Sequence, residues 1–377
     1  MGESFKTRTN TEFERIAIAG GVNLSDGHAR LPLDPVQLKL IESIPAQFER
    51  LASAAQTEVE ARFLEKYFLT MGQSTALRQP LFLSYSVSFG IQIAAQILGR
   101  MCGVVGLIEP VFDNIRHYLE WERLDLQPVG EQVLVGDDDA VMRLPRGSAL
   151  WLVSPNNPTG MVVGRDRFER ILSICRARDL TIVVDASFRP HSSTARSWDM
   201  YESLLESGVD FLVIEDTGKT WSLLDLKVGI MACSSGLRSV VHRLHDQLLL
   251  NVSPVVLAVV SEFVDDFRIR GYEETIGESL DANRESVHEL IDRAGFSHAG
   301  ECGNVPLELL ALPECIEPEA YWRACKSAGV HVLPAHNYYW SGGPDRALFR
   351  VPLARPCAEL KWACDVMAEV ALKVASP

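Results

Sequence analysis

The sequence predicts an α/β fold: a large domain on a mostly parallel sheet, then a smaller α+β domain at the C-terminus. Three observations predict it. From about residue 80, short apolar runs alternate with amphipathic stretches, which is the pattern of βαβ units. The runs are rich in Val and Ile without polar alternation, as in strands covered on both faces. After about residue 255 the pattern changes to a long helical stretch followed by shorter mixed elements.

Residues 1–34 read as an extension that closes over the rest as a lid. In it, Thr11-Glu12-Phe13-Glu14 reads as a helix start with Thr11 as N-cap and acids in the first turn. Asp26-Gly27-His28-Ala29-Arg30 reads as a turn. Residues 34–69 carry a helical pattern, with Pro35 suited to a helix start. The large domain is placed at 35–260, with strands at 81–83, 104–108, 150–153, 180–184, 211–214 and 228–232. The small domain is placed at 261–377, with strands at 330–333 and 347–353 and a closing helix at 356–374.

Of the 377 residues, 47% are hydrophobic, enough for a large core, and the net charge is −14. That balance argues against nucleic acid, which needs clustered Lys and Arg. The eight cysteines, Cys302 among them, form no Cys-x-x-Cys pair and read as buried small hydrophobes in a reducing compartment. No apolar run reaches the ~18 residues of a membrane span. Between Met1 and Glu14 stand five charged residues and no apolar stretch. The expected location is the cytoplasm, with no membrane partner.

The chemistry-bearing residues follow the ends of the predicted strands, where open α/β sheets bind ligands. Ser154-Pro155-Asn156-Asn157-Pro158-Thr159-Gly160 follows one apolar run and, by itself, reads equally well as a turn. Asp185 follows another, where an acid is costly unless paired. Glu215-Asp216-Thr217-Gly218-Lys219 follows a third; Gly218 allows close backbone approach, and Lys is the side chain that forms imines and then acts as a base. Ser84-Tyr85-Ser86-Val87-Ser88 joins a strand to a helix, where hydroxyls and free amides suit a phosphate or simple capping. Arg350 stands in an apolar run, and a buried Arg suits a carboxylate.

Taken in order, these segments resemble the fold-type I aminotransferases over residues 80–360. The resemblance implies a fold-type I pyridoxal 5′-phosphate (PLP) transferase fold and PLP as cofactor. Lys219 is its Schiff-base lysine, Asp185 the partner of the pyridine nitrogen, and Asn157 a donor to the phenolic oxygen. Ser86, Val87 and Ser88 form the phosphate cup, Phe112 stacks on the ring, and Arg350 takes the substrate carboxylate. It also implies a homodimer and no metal. Three positions depart from the family pattern. Phe188 replaces a Tyr that donates to the phenolic oxygen, leaving Ser187 as a substitute. Lys227 stands where an Arg usually meets the phosphate, and Asp216 where a Ser does.

Those departures match a narrower group. Asn23-Leu24-Ser25-Asp26-Gly27-His28-Ala29-Arg30, Phe112-Asp113-Asn114-Ile115, Asp185-Ala186-Ser187-Phe188-Arg189, Glu215-Asp216-Thr217-Gly218-Lys219 and Asp225-Leu226-Lys227 resemble the PLP-dependent arginine oxidases. That resemblance implies oxidation of free L-arginine by O₂ after Lys219 removes the Cα proton, yielding 4-hydroxy-2-oxo-arginine with 2-oxo-arginine as side product. Asp26 and Asp216 would hold the guanidinium, Glu14 would close over it as a third acid, and His28 would handle protons near reduced oxygen. His191, His242 and His336 are read as structural or surface residues. The alternatives are an arginine desaturase of the same group and a conventional PLP aminotransferase. A PLP-binding regulator of the same fold is disfavoured, because no helix-turn-helix segment precedes the fold.

Overall fold

The computed structural model describes residues 5–301 and 305–375. The first four residues of the predicted lid, and Cys302, lie outside that range. Among the described residues, twelve strands form two sheets. In chain order they are β1 (Val22–Leu24), β2 (Leu81–Ser84), β3 (Val104–Glu109), β4 (Asp125–Gly130), β5 (Ala149–Val153), β6 (Thr181–Asp185), β7 (Phe211–Asp216), β8 (Gly229–Cys233), β9 (Ser297–His298), β10 (Leu307–Ala311), β11 (Val330–Pro334) and β12 (Leu348–Pro352).

The seven-stranded sheet runs β2-β8-β7-β6-β5-β3-β4. Its pairs are parallel except those of β8, which is antiparallel to β2 and β7. Strands β5, β7 and β8 are buried at every position, because helices cover both faces and leave no side for polar residues. The direction of β8 follows from its link to β7, a short loop that turns the chain back without a helical crossover. The six strands β2 to β7 therefore run one way and end at one edge, and the loops leaving β2, β3, β5, β6 and β7 build the site.

The five-stranded sheet runs β1-β11-β12-β10-β9. Its edge strand β1 belongs to the N-terminal segment and pairs in parallel with β11, Val22 opposite Val330. Ahead of β1 stands helix α1 (Asn10–Ile18). Thr9, not Thr11, is its N-cap, in a capping box with Glu12: each side chain satisfies the other's free backbone amide. Phe13 and Ala17, one turn apart, are buried, and the Phe13 ring meets Trp322 edge-on at 5.4 Å. The N-terminal segment is thus tied to the small sheet by a strand and an apolar helix face.

The stretch predicted as helical over 34–69 is three helices: α2 (Pro35–Glu42), α3 (Ile44–Leu51) and α4 (Gln56–Thr70). Asp34 caps α2, with Pro35 inside its first turn, as its fixed φ favours. The sheets are joined by a long helical run, Pro254–Tyr272, a π-turn at Glu273–Gly277 and Glu278–Ala294. Cys175, Cys233, Cys325 and Cys364 are buried as expected, whereas Cys315 and Cys357 are exposed; all are free thiols. No helix among the described residues is long and apolar enough to cross a membrane.

Candidate active site

The strand ends enclose a cavity of about 370 Å³. It is lined by Lys219, Asp185, Asn157, Arg350, Asp216 and Glu14, and also by His28, Ser86, Val87, Ser88, Phe112, Ser187 and Lys227. Every predicted site residue faces it except Asp26.

Each side chain is set by local backbone chemistry. Lys219 ends the 3₁₀ turn Thr217–Lys219 that leaves β7, and Asp216 Oδ1 caps the turn by accepting from Gly218 N at 2.8 Å. A side chain at Gly218 would meet Lys227 Cδ at 2.8 Å, so the turn needs glycine here. Among the described residues, no hydrogen bond or salt bridge engages Lys219 Nζ. Asp185 closes β6; its Oδ1 accepts from Ser187 N at 3.0 Å and Ser187 Oγ at 2.5 Å. Ser187 therefore serves Asp185. Burial raises the Asp185 carboxyl despite these bonds, and its other oxygen is left for a cationic partner. Ser86 caps helix α5 (Val87–Met101), accepting from Ser88 N at 3.2 Å. That helix start offers amides and hydroxyls to an anion.

Arg350, on β12, is buried and held from several directions. It donates to Tyr338 Oη at 2.6 Å, to Asn157 Oδ1 at 3.4 Å and to the Ser25 carbonyl. Glu14 lies 3.5 Å from it. Helix α1 is pinned for this by Asn10 N donating to Asp113 Oδ2 at 2.9 Å and by Asn337 Nδ2 donating to the Arg8 carbonyl at 2.6 Å. Burial raises the Glu14 carboxyl to about 7, against the pull of Arg350 and Lys219. Glu14 is therefore poised to ionise near neutrality.

Asp26, expected to help hold a guanidinium, stands behind the cavity wall rather than on it. It is buried beneath His28 and its oxygens are engaged. Oδ1 accepts from His28 N at 2.9 Å and Nδ1 at 2.5 Å, and Oδ2 from Arg30 Nη2 at 3.1 Å. Burial would raise its carboxyl, but the hydrogen bonds from His28, with the nearby Lys219, hold it far below the usual range. Lys227 Nζ donates to His28 Nε2 at 2.8 Å, so the ring carries its proton on Nδ1, toward Asp26. Burial and Lys219 hold the imidazole's pKa down, against the pull of Asp26. The row Arg30–Asp26–His28–Lys227 therefore delivers a neutral, oriented imidazole to the cavity wall.

Sequence reasoning missed Thr11, which lines the cavity, and Tyr338, which steadies Arg350. Tyr338 follows a strand in an aromatic-rich segment that gives no local signal of an Arg contact. His191, read as structural or surface, is buried against the Lys219 carbonyl at 3.0 Å.

These residues fit PLP. A buried acid with one oxygen uncommitted faces the cavity with an unpaired amine, a helix N-terminus, an Asn and the Phe112 ring. Lys219 would carry the cofactor, Asp185 face its ring nitrogen, and Ser86, Val87, Ser88 and Lys227 surround its phosphate.

Comparison with known proteins agrees. Residues 23–366 match the sequence model of the family described as aminotransferase class I and II. Histidinol-phosphate aminotransferase 2 of Methylococcus capsulatus is 23% identical over 72% of this chain, which spans 64% of that relative's length. Its counterpart in Bacillus cereus is 24% identical, over 74% of this chain and 77% of that protein. Among solved structures, MppP soaked with the product 2-ketoarginine superposes with a TM-score of 0.85 at 28% identity, covering 92% of this chain and 98% of that one. Aspartate aminotransferase from Thermus thermophilus with maleate shares the fold, with a TM-score of 0.78 at 15% identity over 98% and 100% of the two chains. The chain has the fold-type I aminotransferase fold and belongs to the aminotransferase class I and II family.

Proposed function

We propose that the protein is a PLP- and O₂-dependent oxidase of free L-arginine, forming 4-hydroxy-2-oxo-arginine with some 2-oxo-arginine. The observation that carries this reading is the pair of acids, Glu14 and Asp216, in the same cavity as Lys219 and the carboxylate-binding Arg350. An amino acid with a cationic end matches that set. The likeness to MppP, whose product 2-ketoarginine keeps the guanidinium, supports the same substrate class.

When bound, PLP supplies an electron sink for negative charge at the substrate Cα. The chain's own residues do the rest. Arg350 orients the α-carboxylate, Glu14 and Asp216 hold the guanidinium, and Lys219 takes the Cα proton. His28, neutral and aimed by Asp26, moves protons late in the cycle. Residues 1–34 act as the lid over the large (35–260) and small (261–377) domains, excluding water while O₂ reacts. The working unit is a homodimer in the cytoplasm, which a light-scattering mass of twice the 41.8 kDa chain would show.

The curated relatives are histidinol-phosphate aminotransferases, which favours conventional amino transfer as a second reading. Phe188, buried and without a hydroxyl, and the acids Glu14 and Asp216 count against it. The test is to mix purified protein with L-arginine in air, without any 2-oxo acid, and follow O₂ uptake and product masses. Uptake with a hydroxylated 2-oxo product supports the oxidase; absence of uptake refutes it, and an unsaturated product assigns the desaturase.

A further inference from the structure

His191 closes the 3₁₀ turn Arg189–His191 after β6 and is buried. Its Nε2 lies 3.0 Å from the Lys219 carbonyl oxygen, and its Nδ1 3.3 Å from Tyr272 Oη. A carbonyl only accepts, so Nε2 carries the proton, and Nδ1 accepts from the Tyr272 hydroxyl. Burial, helped by the positive Arg196, keeps the ring neutral down to about 4. Arg196 stacks over the Tyr272 ring at 5.1 Å. The hydrogen-bond direction is therefore set from Tyr272 through His191 to Lys219.

Both ends of that path are unusual. At one end, Lys219 sits in a 3₁₀ turn too short to satisfy its own carbonyls. The Gly218 carbonyl accepts from Ala29 N at 3.1 Å, and the Lys219 carbonyl from His191. Because peptides are planar, holding both carbonyls fixes the two planes that bracket the Lys219 Cα, and with them the direction of its side chain. At the other end, Tyr272 follows Gly271, whose φ of 85° and ψ of 169° break the helical run joining the two sheets. The π-turn Glu273–Gly277 follows directly. A positive-φ glycine beside a π-turn is a place where such a run can bend.

We propose that His191 is a positioning residue for Lys219, and that through Tyr272 it ties the catalytic turn to the break in the helix joining the two sheets. This rests on Lys219 as the cofactor lysine. When the helix bends at Gly271, Tyr272 moves against His191 and the Lys219 peptide responds; the small-sheet side grips the same turn through Ala29. The acting group is the Nε2 donor, not the imidazole's bulk or basicity.

The test uses the PLP-loaded enzyme and three variants. His191→Leu removes donor and acceptor, His191→Gln keeps a donor at the Nε2 position, and Tyr272→Phe removes only the hydroxyl. Three quantities are read: the pH midpoint of the bound cofactor's visible absorbance, amide hydrogen exchange across residues 215–223, and kcat against KM for arginine. Losing a buried hydrogen bond corresponds to about tenfold. His191→Leu is expected to speed exchange in that peptide about tenfold, shift the midpoint by about half a unit or more, and lower kcat with KM little changed. Tyr272→Phe should move all three the same way by less, and His191→Gln should return them toward wild type. A folded His191→Leu enzyme with wild-type exchange and midpoint overturns the proposal, as do Leu and Gln variants that behave alike. If His191→Leu does not fold, unchanged exchange and midpoint in Tyr272→Phe overturn it. Lys219→Ala separates the two layers: cofactor that borohydride reduction still fixes to the chain there overturns the assignment of Lys219 and the proposal with it, whereas a Lys219→Ala chain left unlabelled by borohydride, with unresponsive His191 and Tyr272 variants, overturns the proposal alone.

Discussion

Glu14 gives a prediction whose sign and size follow from its setting. Burial raises its carboxyl to about 7, with Arg350 and Lys219 opposing. A guanidinium stays charged throughout the accessible range, so arginine favours the ionised form of Glu14. With a midpoint near 7, about one molecule in eleven is ionised at pH 6 and about ten in eleven at pH 8. Arginine binding should therefore strengthen about tenfold between those values. Glu14→Gln should abolish that dependence and leave binding weak at both. Stability should move the other way. A carboxyl raised from 4.5 to about 7 disfavours the folded state once ionised. The penalty is absent below pH 4.5, grows as pH rises, and is complete above 7. It is at most on the order of 3 kcal/mol. Glu14→Gln should thus be the more stable protein at pH 8 and no more stable at pH 4. The assay is arginine titration of the loaded enzyme from pH 6 to 8 beside denaturant melts at pH 4 and 8. A Gln variant that keeps the tenfold dependence refutes the reasoning.

Two further predictions follow from the site and its support. Asp185→Asn loses a charge-assisted bond to the cofactor ring and should weaken PLP retention on the order of tenfold to a hundredfold, read by absorbance after dialysis. Glu215, fully buried, accepts from Tyr67 Oη at 2.9 Å, Tyr201 Oη at 2.7 Å and Arg189 Nε at 3.3 Å. Glu215→Gln strands the Arg189 charge and should cost about 3–5 kcal/mol in denaturant unfolding, while pairing it with Arg189→Met should recover most of that loss.

The strands that place the site were legible because burial on both faces makes them continuous apolar runs. What escaped has physical reasons. Strand β4 is an edge strand, mostly uncovered and holding Pro128, which only an edge tolerates. Strand β1 has three residues, with Asn23 in the middle, and exists because β11 offers a free edge. Strand β10 carries Glu308, whose charge interrupts the apolar pattern but is met by Arg284 at 2.9 Å. The direction of β8 left no trace, since a fully buried strand reads alike both ways. Within the site, the motif residues were recognisable by order and spacing. The setting of Asp26 was not legible, because sequence shows an acid in a turn but not that His28 and Arg30 hold it. His191 was passed over because its partner is a backbone carbonyl, which no sequence marks.

The claim at the centre of this account is that O₂, not a second keto acid, is the oxidant of arginine. The most direct test is anaerobic. The loaded enzyme is mixed with L-arginine and 2-oxoglutarate under argon, and glutamate and arginine-derived 2-oxo acid are quantified before and after air is admitted. The account predicts no glutamate and no hydroxylated product under argon, then 4-hydroxy-2-oxo-arginine on admission of air, with O₂ consumed. Steady anaerobic turnover to glutamate and 2-oxo-arginine would contradict it and identify an ordinary aminotransferase.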